Sequence, residues 1–330
     1  MSKLSYLLSR VRRMDHGAMI RTARELHKKT GKSTAWLLAD MARCAKEYGA
    51  GYVDYRIAEM YRLTPEQRKT QITRGASNRI VARMNDKEYW HHLDDKAKFN
   101  ALFRGQVRRG WIDLRVATEA DFARWRRDRG DVIGKPIEGS SGQGIRKYRA
   151  GELPDMAQIR ADGIDLLEDW IVQHRAMASL CETSVNTLRI ATLLGDKKQG
   201  VVYVFIRIGT GSVVDNVDQG GMAAPIDLDT GKISAVGADK KGNRFENHPT
   251  TGVKIPGFGV PFWDEAVSMS LSAMHVIPQV RFVAWDVAIT EEGPVFVEGN
   301  SFPSHAIPQF AAHYPDGVGI LPRFEEFIDL

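Results

Sequence analysis

Apolar residues in roughly the first 90 positions recur at helical spacing, with polar residues between them. One such stripe consists of Met19, Ile20, Ala23 and Leu26. The segment from Thr64 to Gln67 supplies a cap, a proline and a capping-box glutamine for a further helix start. No alternating strand rich in Val and Ile interrupts this region. The pattern therefore predicts a helical N-terminal domain over residues 1–91, and not a dinucleotide-binding fold.

From residue 92 onwards the pattern changes to short apolar runs separated by turns and by helices. The clearest predicted strands span residues 111–116, 166–172, 184–194, 200–209, 281–289 and 294–299. Helices are predicted at residues 263–276 and about 321–328. Most neighbouring strands are joined by short turns, as in antiparallel hairpins. This mixture predicts an α+β domain over residues 92–330.

Three oxygen ligands interrupt the apolar pattern of the hairpin at residues 281–300, namely Asp286, Glu298 and Asn300. Side chains alternate along a strand, so Glu298 and Asn300 share one face, and Asp286 can meet them across the hairpin. Two carboxylates and an amide oxygen suit a hard cation such as Mg²⁺. An exposed hairpin face with solvated acids is the alternative interpretation.

A second informative segment is a predicted strand bearing Lys135, followed by the loop Gly139-Ser140-Ser141-Gly142-Gln143-Gly144. Glycine and serine let successive backbone N–H groups turn toward one anion, and Lys135 adds a positive charge beside them. The loop is not a Walker A motif, because the final glycine is not followed by Lys-Ser or Lys-Thr. We expect a phosphate site here, with a plain hairpin turn as the alternative.

Two arginines, Arg189 and Arg207, lie within otherwise apolar predicted strands. A guanidinium group cannot lose its charge in a protein, so each arginine needs an anionic partner. A structural salt bridge and a phosphate or carboxylate ligand both meet that need.

Composition adds limits to this picture. The 330 residues are 43% apolar and 26% charged, which is typical of a globular protein of about two domains. The two cysteines, Cys44 and Cys181, support neither a disulfide framework nor a zinc site. No apolar run is long enough to span a bilayer, and the first residues do not match a secretory signal. A cytoplasmic protein is expected.

The net charge of +5 hides an asymmetry. Residues 1–130 contain 29 Lys and Arg against 15 Asp and Glu, whereas residues 131–330 contain 17 against 26. The basic first part suggests an anionic partner such as a nucleotide, an acidic or phosphorylated glycan, a membrane surface or nucleic acid. Ordinary solvated helix surfaces would give the same count.

Taken in chain order, these features resemble the ATP-grasp superfamily. The series comprises Lys96, Lys135 with its glycine-rich loop, Glu168 to Ile171, Arg189, and Asp286 followed by Glu298-Gly-Asn300. Other segments are similar to the sugar-transfer-associated ATP-grasp family. These are Ser184-Val-Asn-Thr-Leu-Arg189, Arg207-Ile-Gly, Val214-Asp-Asn, Gln219-Gly-Gly, His248-Pro, Trp285-Asp-Val-Ala-Ile-Thr and Val297-Glu-Gly-Asn300.

The resemblance implies an ATP-grasp fold, in which two α+β subdomains clamp ATP. The lid subdomain would span about residues 92–170 and the metal-binding subdomain about 171–330. The residues implied to bind ATP are Lys96, Lys135, Ser140, Ser141, Gly142 and Gly144 at the phosphates, the backbone of Glu168, Asp169, Trp170 and Ile171 at adenine, and Gln173 or His174 nearest the ribose. Asp286, Glu298 and Asn300 would hold Mg²⁺, with two ions expected. Arg189, Lys135 and Arg207 would be catalytic.

The implied activity is that of an ADP-forming carboxylate–amine ligase that works through an acyl phosphate. Its substrates would be a small-molecule carboxylate and an amine, in the synthesis of a modified sugar, glycan or peptide-like metabolite. A kinase acting on a hydroxyl group is one alternative. A non-catalytic module that docks on an anionic membrane or nucleic acid is another, whereas the ligase hypothesis expects no nucleic-acid partner.

Loop residues Ser301, His248 and His305 border the expected acceptor site, in catalytic or structural roles. The oligomeric state stays open.

Overall fold

The computed structural model describes residues 15–139, 142–211, 217 and 220–330. Its helices are α1 His16–Thr30, α2 Thr34–Tyr48, α3 Tyr52–Ile57, α4 Pro65–Lys69, α5 Arg74–Met84, α6 His91–Asp94, α7 Lys96–Leu102, α8 Arg104–Val107, α9 Glu119–Trp125, α10 Met156–Ala161, α11 Arg175–Leu180, α12 Trp263–Ala273 and α13 Leu321–Glu325. Short 3₁₀ turns lie at Met60–Arg62, Lys87–Tyr89, Ile307–Gln309 and Ala311–His313.

The strands are β1 Trp111–Asp113, β2 Val132–Lys135, β3 Arg146–Tyr148, β4 Leu166–Asp169, β5 Thr187–Leu194, β6 Gln199–Ile208, β7 Met222–Pro225, β8 Gly237–Ala238, β9 Arg244–Phe245, β10 Phe282–Thr290 and β11 Gly293–Asn300. Within the described residues they form two antiparallel sheets. The small sheet has the order β1-β4-β2-β3, and the large sheet has the order β11-β10-β5-β6-β7-β8-β9.

The predicted helical character of the first part of the chain is confirmed. Asp15 caps the start of α1 and Gly31, at φ 73°, ends it. Thr64 and Gln67 form the expected capping box at α4. Helices α1 to α3 bury their apolar faces in a core of their own, which includes Ala23, Leu37 and Tyr55.

Helix α5 packs differently, because Ile80, Val81 and Met84 join a core with β5, β6, β10 and the C-terminal helix. This core covers one face of the large sheet. Helix α12, with β10 and β11 among others, contributes to the core on the opposite face. The division of the chain near residue 91 stays a prediction.

Several predicted strands are shorter than expected. The strand predicted at 166–172 ends at Asp169, where the Trp170 N–H still bonds to the Asp131 carbonyl before the chain leaves the sheet. The strand predicted at 111–116 ends at Asp113. In the described part of the chain, no helix combines the length and the apolar character required to cross a bilayer.

Candidate functional site

A cleft lies between the two sheets, and side chains from both of them face into it. The small sheet and its loops contribute Lys135, Gly142, Gln143 and Glu168, and helix α7 contributes Lys96. The large sheet contributes Thr187, Arg189, Arg207, Asp286, Glu298 and Asn300. Charged side chains from distant parts of the sequence thus meet in one concave site, which is typical of ligand sites.

The hairpin of β10 and β11 presents its three oxygen ligands to this cleft because of a β-bulge. Asp286 pairs with Glu298, whereas the next residue, Val287, pairs with Phe296, so Val297 is an extra residue in β11. The bulge brings Glu298 opposite Asp286 and leaves Phe296 in the core. There, Phe296 stacks on Trp285 at a ring-centroid distance of 5.0 Å.

Gly299, between Glu298 and Asn300, sits where no larger residue fits. A Cβ atom at this position would lie 2.9 Å from the Phe99 ring and 3.0 Å from Leu93. Asn300 donates its side-chain N–H to the Ala284 carbonyl at 3.2 Å. Its amide oxygen is therefore the atom left for a ligand.

Asp286 is fully buried and is held by both strand arginines. Arg189 Nη2 lies 2.9 Å and Arg207 Nη2 lies 2.7 Å from the same carboxylate oxygen, and Arg189 Nε contacts the other oxygen. Burial by itself raises the pKa of Asp286, but the two guanidinium charges outweigh it and lower that pKa. The arginines thus have an anionic partner within the cleft wall.

Glu298 is the second carboxyl group of the site; it is partly buried and lies directly opposite Asp286 in the hairpin. Burial and the neighbouring Asp286 charge raise the pKa of Glu298. Two adjacent carboxyl groups and an amide oxygen form an oxygen-only ligand set, which fits a Mg²⁺ ion. Among the described residues, no cluster of three or more His, Cys, Asp or Glu side chains offers a metal site. A cation here would depend on Asn300 as well as on the two carboxylates.

Glu168, on β4, is a buried anion that holds three side chains beside the cleft. Its carboxylate is 1% exposed and accepts hydrogen bonds from Lys135 at 2.6 Å, from Asn100 at 2.6 Å and from Arg109 at 3.0 Å. The pKa of Glu168 is lowered well below its ordinary value, because Arg109 and Lys135 outweigh the effect of burial. Lys135, expected at the phosphates, is therefore held at the cleft wall by a carboxylate.

Arg109 is a site residue that the sequence analysis did not identify. Besides Glu168, it donates to the backbone carbonyls of Phe296 and Val297, at the bulge that precedes Glu298. One side chain thereby ties β4 of the small sheet to β11 of the large sheet. Arg109 lies in an ordinary polar segment between a helix and a strand, so no local pattern indicates this role.

Lys96 lies where the glycine-rich loop begins. Its ammonium group donates to the carbonyls of Ile137 and Gly139, each at 3.2 Å. Burial lowers the pKa of Lys96, although the charge of Glu298 opposes that effect.

In the glycine-rich loop, Gly142 lines the cleft. Gly144 has φ 73°, a conformation that favours glycine, but it is not part of the cleft lining. Ser140 and Ser141 lie outside the described residues.

The segment expected at adenine is only partly in the cleft. Glu168, Trp170 and Ile171 line it. Asp169 does not line the cleft, because its carboxylate pairs with Arg129 and accepts the Gly110 N–H at 2.8 Å.

Neither residue considered for the ribose lines the cleft. The amide group of Gln173 is buried and bonds to the Cys181 and Ser184 carbonyls, each at 2.8 Å. His174 caps the start of α11, and its Nε2 lies 3.4 Å from a carboxylate oxygen of Glu291.

The loop residues near the expected acceptor site have structural partners. The ring nitrogen Nε2 of His248 bonds to the Gly209 carbonyl at 2.7 Å. His305 bonds to Asp54 at 2.7 Å, and Ser301 donates to Asp94 at 2.7 Å. None of these three residues lines the cleft, although Phe302 and Ser304 do.

The model of the sugar-transfer associated ATP-grasp family matches residues 75–327, about three quarters of the chain. The protein belongs to this family, and its fold is the ATP-grasp fold that the sequence resemblance predicts. No curated protein matches the sequence.

Similar solved structures share little sequence with this chain. The D-alanine–D-alanine ligase from Coxiella burnetii is 12% identical, with a TM-score of 0.41, over 72% of this chain and 56% of that one. The corresponding ligase from Bacillus anthracis is 12% identical, with a TM-score of 0.42, over 76% and 73%. The ATP-grasp ligase PsnB, complexed with a variant precursor, Mg and ADP, is 12% identical, with a TM-score of 0.40, over 76% and 68%. This chain thus spans just over half the length of the Coxiella ligase.

Proposed function

We propose that the protein is an ATP- and Mg²⁺-dependent ligase that joins a carboxylate to an amine through an acyl phosphate. The observation that carries this proposal is the meeting of Asp286, Glu298 and Asn300 with Lys96, Lys135, Arg189 and Arg207 in one cleft. Oxygen ligands for a hard cation and a set of fixed positive charges are what a triphosphate requires. The substrate that we propose is a precursor of a modified sugar, a glycan or a peptide-like metabolite, and the association with sugar transfer in the family description supports the first of these.

Asp286, Glu298 and Asn300 would hold the metal. The two carboxyl groups, which lie opposite each other in the hairpin, and the amide oxygen of Asn300 fit a divalent cation. When bound, the metal neutralises phosphate charge. All other stabilisation of the reacting groups comes from side chains of the protein.

The attack of a carboxylate on the γ-phosphate brings two anions together. Arg189 and Arg207 supply two fixed positive charges within reach of Asp286, and either guanidinium can turn to a phosphoryl oxygen. Lys135, whose carboxylate partner Glu168 holds it in place, adds a third charge at the opposite wall. These groups stabilise the charge that spreads over the transferred phosphoryl group. Once the acyl phosphate has formed, the amine displaces phosphate, and Arg189 stabilises the oxyanion of that step.

An acyl phosphate hydrolyses if water reaches it, so the cleft must close over the reactants. Gly142 and Gln143 line the cleft, and Lys96 anchors the start of the same loop through the Gly139 carbonyl. The loop at residues 139–144 is therefore the segment that would cover the phosphates.

The test is incubation of the protein with ATP, Mg²⁺ and a panel of amino acids and sugar acids, with measurement of nucleotide products and of the new bond. Acceptor-dependent ADP release together with an amide product is expected. AMP and pyrophosphate would contradict the acyl-phosphate scheme. A phosphate ester as the stable product would identify a kinase instead.

A further inference from the structure

A second cavity adjoins the cleft, and Lys240 lines both of them. Its walls come from α1, α3, the turn between β8 and β9, and residues 310–312. The basic side chains that line it are Lys29, Arg56, Lys240, Lys241 and Arg244. The proposed function uses none of these residues.

The large sheet relates this cavity to the reaction centre. Arg207 on β6 pairs with Ala223 on β7, which pairs with Ala238 on β8, which pairs with Arg244 on β9. Directly paired residues face the same side of a sheet, so Arg207 and Arg244 lie on one face. Three strand spacings separate their backbones by roughly 14 Å. Two basic sites thus stand at opposite ends of one row of the sheet.

The basic residues of the second cavity outnumber its acids. Its carboxylates are Glu25, Glu59 and Asp239. Glu59 is already bound by Lys29 at 2.8 Å and by Arg62, which lies outside the cavity, at 2.7 Å.

Asp239 directs one carboxylate oxygen to the N–H groups of Lys241 and Asn243 within its own turn, each at 2.9 Å. Across the part of the chain that the structure describes, neither Lys241 nor Arg244 takes part in an ion pair. The positive charges of Lys241 and Arg244 are therefore not neutralised by an ion pair within the described part of the chain.

ATP does not account for this charge, because the triphosphate sites are the lysines and arginines of the first cleft. An anionic group bound at Lys241 and Arg244 would therefore be part of the acceptor substrate. It would lie at a distance from the end of the acceptor that reacts. We propose that the acceptor is an extended molecule with an anionic group, a carboxylate or a phosphate, at its remote end, and that Lys241 and Arg244 bind this group. The proposal rests on the proposed function for the reaction at the near end.

The experiment measures binding by calorimetry, with the full chain and saturating Mg²⁺ and AMPPNP. The probes are trigalacturonate for carboxylates, fructose 1,6-bisphosphate for phosphates, and maltotriose as a neutral sugar. The test variant combines Lys241→Glu with Arg244→Glu. The matched control combines Lys69→Glu with Arg79→Glu, because both residues are exposed, line neither cavity and change the net charge equally.

We expect wild-type protein to bind at least one of the two anions more tightly than maltotriose. The anion that binds identifies the carboxylate or the phosphate as the recognised group. The test variant should lose about tenfold or more in this affinity, a change of about 1.4 kcal/mol, and the control less than about twofold. Binding of neither anion, or equal losses in the two variants, would overturn the proposal.

The affinity for AMPPNP is measured in the same samples and should be unchanged in both variants. No amide product with any acceptor, combined with the expected pattern of anion binding, would contradict the ligase function and leave the anion site standing. Ligase turnover that is unaffected by the test variant, with no anion binding, would contradict the anion site alone.

Discussion

Asp286 and Glu298 lie directly opposite each other across the hairpin, because Val297 is an extra residue that shifts the pairing of β11 by one position. Pairing continued evenly from Val287 and Phe296 would have put Val297 opposite Asp286, with Glu298 on the other face. The bulge therefore decides which side chains the cleft receives.

Replacement of Glu298 by Gln tests the role of this pair. The side chain keeps its size, but one of two carboxylates is lost, so we expect ADP release to fall by about 10²-fold or more. The fold should persist, because glutamine has the size of glutamate and the side chain at this position is only partly buried. Steady-state turnover over a range of Mg²⁺ concentrations and a thermal melt measure both effects. Turnover within a few-fold of wild type would remove Glu298 from the metal site.

Glu168→Gln should destabilise the protein. The variant leaves Lys135 and Arg109 buried without their shared carboxylate, and we expect a loss of about 3–5 kcal/mol in the free energy of unfolding. The control is Asp162→Asn, whose partner Arg146 is exposed, with an expected loss under about 1 kcal/mol. Urea unfolding measures both values.

The Glu168→Gln variant also tests how the stability of the protein depends on pH. Because the pKa of Glu168 is lowered on folding, its stabilisation is present above about pH 4.5, the ordinary value for glutamate, and is lost as the pH falls below it. The difference in stability between wild type and Glu168→Gln should shrink in that range. A difference that stays constant down to the acid transition would contradict the paired carboxylate.

His313 should make the stability of the protein depend on pH in a second, less acidic range. Burial lowers the pKa of His313 from 6.5 to about 4, and the nearby charge of Arg244 contributes, although the Val236 carbonyl opposes the shift. The unfolded chain thus binds a proton that the folded chain does not, and stability should fall between about pH 6.5 and pH 4 by up to about 3 kcal/mol.

His313→Gln should flatten this part of the stability profile, because Gln keeps an N–H donor for the Val236 carbonyl but does not titrate. Urea unfolding at half-unit steps of pH measures the slope. Equal slopes in wild type and variant would show that His313 takes up its proton over the same pH range in the folded and the unfolded chain.

Nucleotide binding should protect the glycine-rich loop from hydrogen exchange. Gly142 and Gln143 line the cleft, so AMPPNP with Mg²⁺ is expected to slow exchange in peptides that cover residues 142–148. The turn at residues 228–231 lies outside the cleft and serves as an internal control. Equal exchange with and without nucleotide would argue against closure of this loop over the phosphates.

Local sequence patterns were sufficient to predict the hairpins, whereas the convergence of the acidic strand with the lysine strand was implied by the resemblance to the ATP-grasp superfamily. Apolar alternation and turn residues are local signals, and the buried acids stand out against them. The bulge at Val297 carries no such signal, since Phe296, Glu298 and Asn300 are spaced as on one regular face. The packing of Phe296 against Trp285 in the structure shows that Phe296 faces the core, on the side of the sheet opposite to Glu298.

The partners of buried charges were equally hard to predict. The sequence shows that Arg189, Arg207 and Lys135 require anions, but not that Asp286 and Glu168 supply them. Arg109 is one of many arginines in a basic region, and its partners Glu168 and Phe296 lie 59 and 187 positions away along the chain. Non-local pairs of this kind depend on the register of the sheets.

The position of Arg109 limits how the cleft can open. Its guanidinium group bonds at once to Glu168 of the small sheet and to the backbone of β11 in the large one. Separation of the two sheets near Arg109 would have to break these hydrogen bonds. We therefore expect the cleft to open for nucleotide by a rotation that keeps the contacts of Arg109.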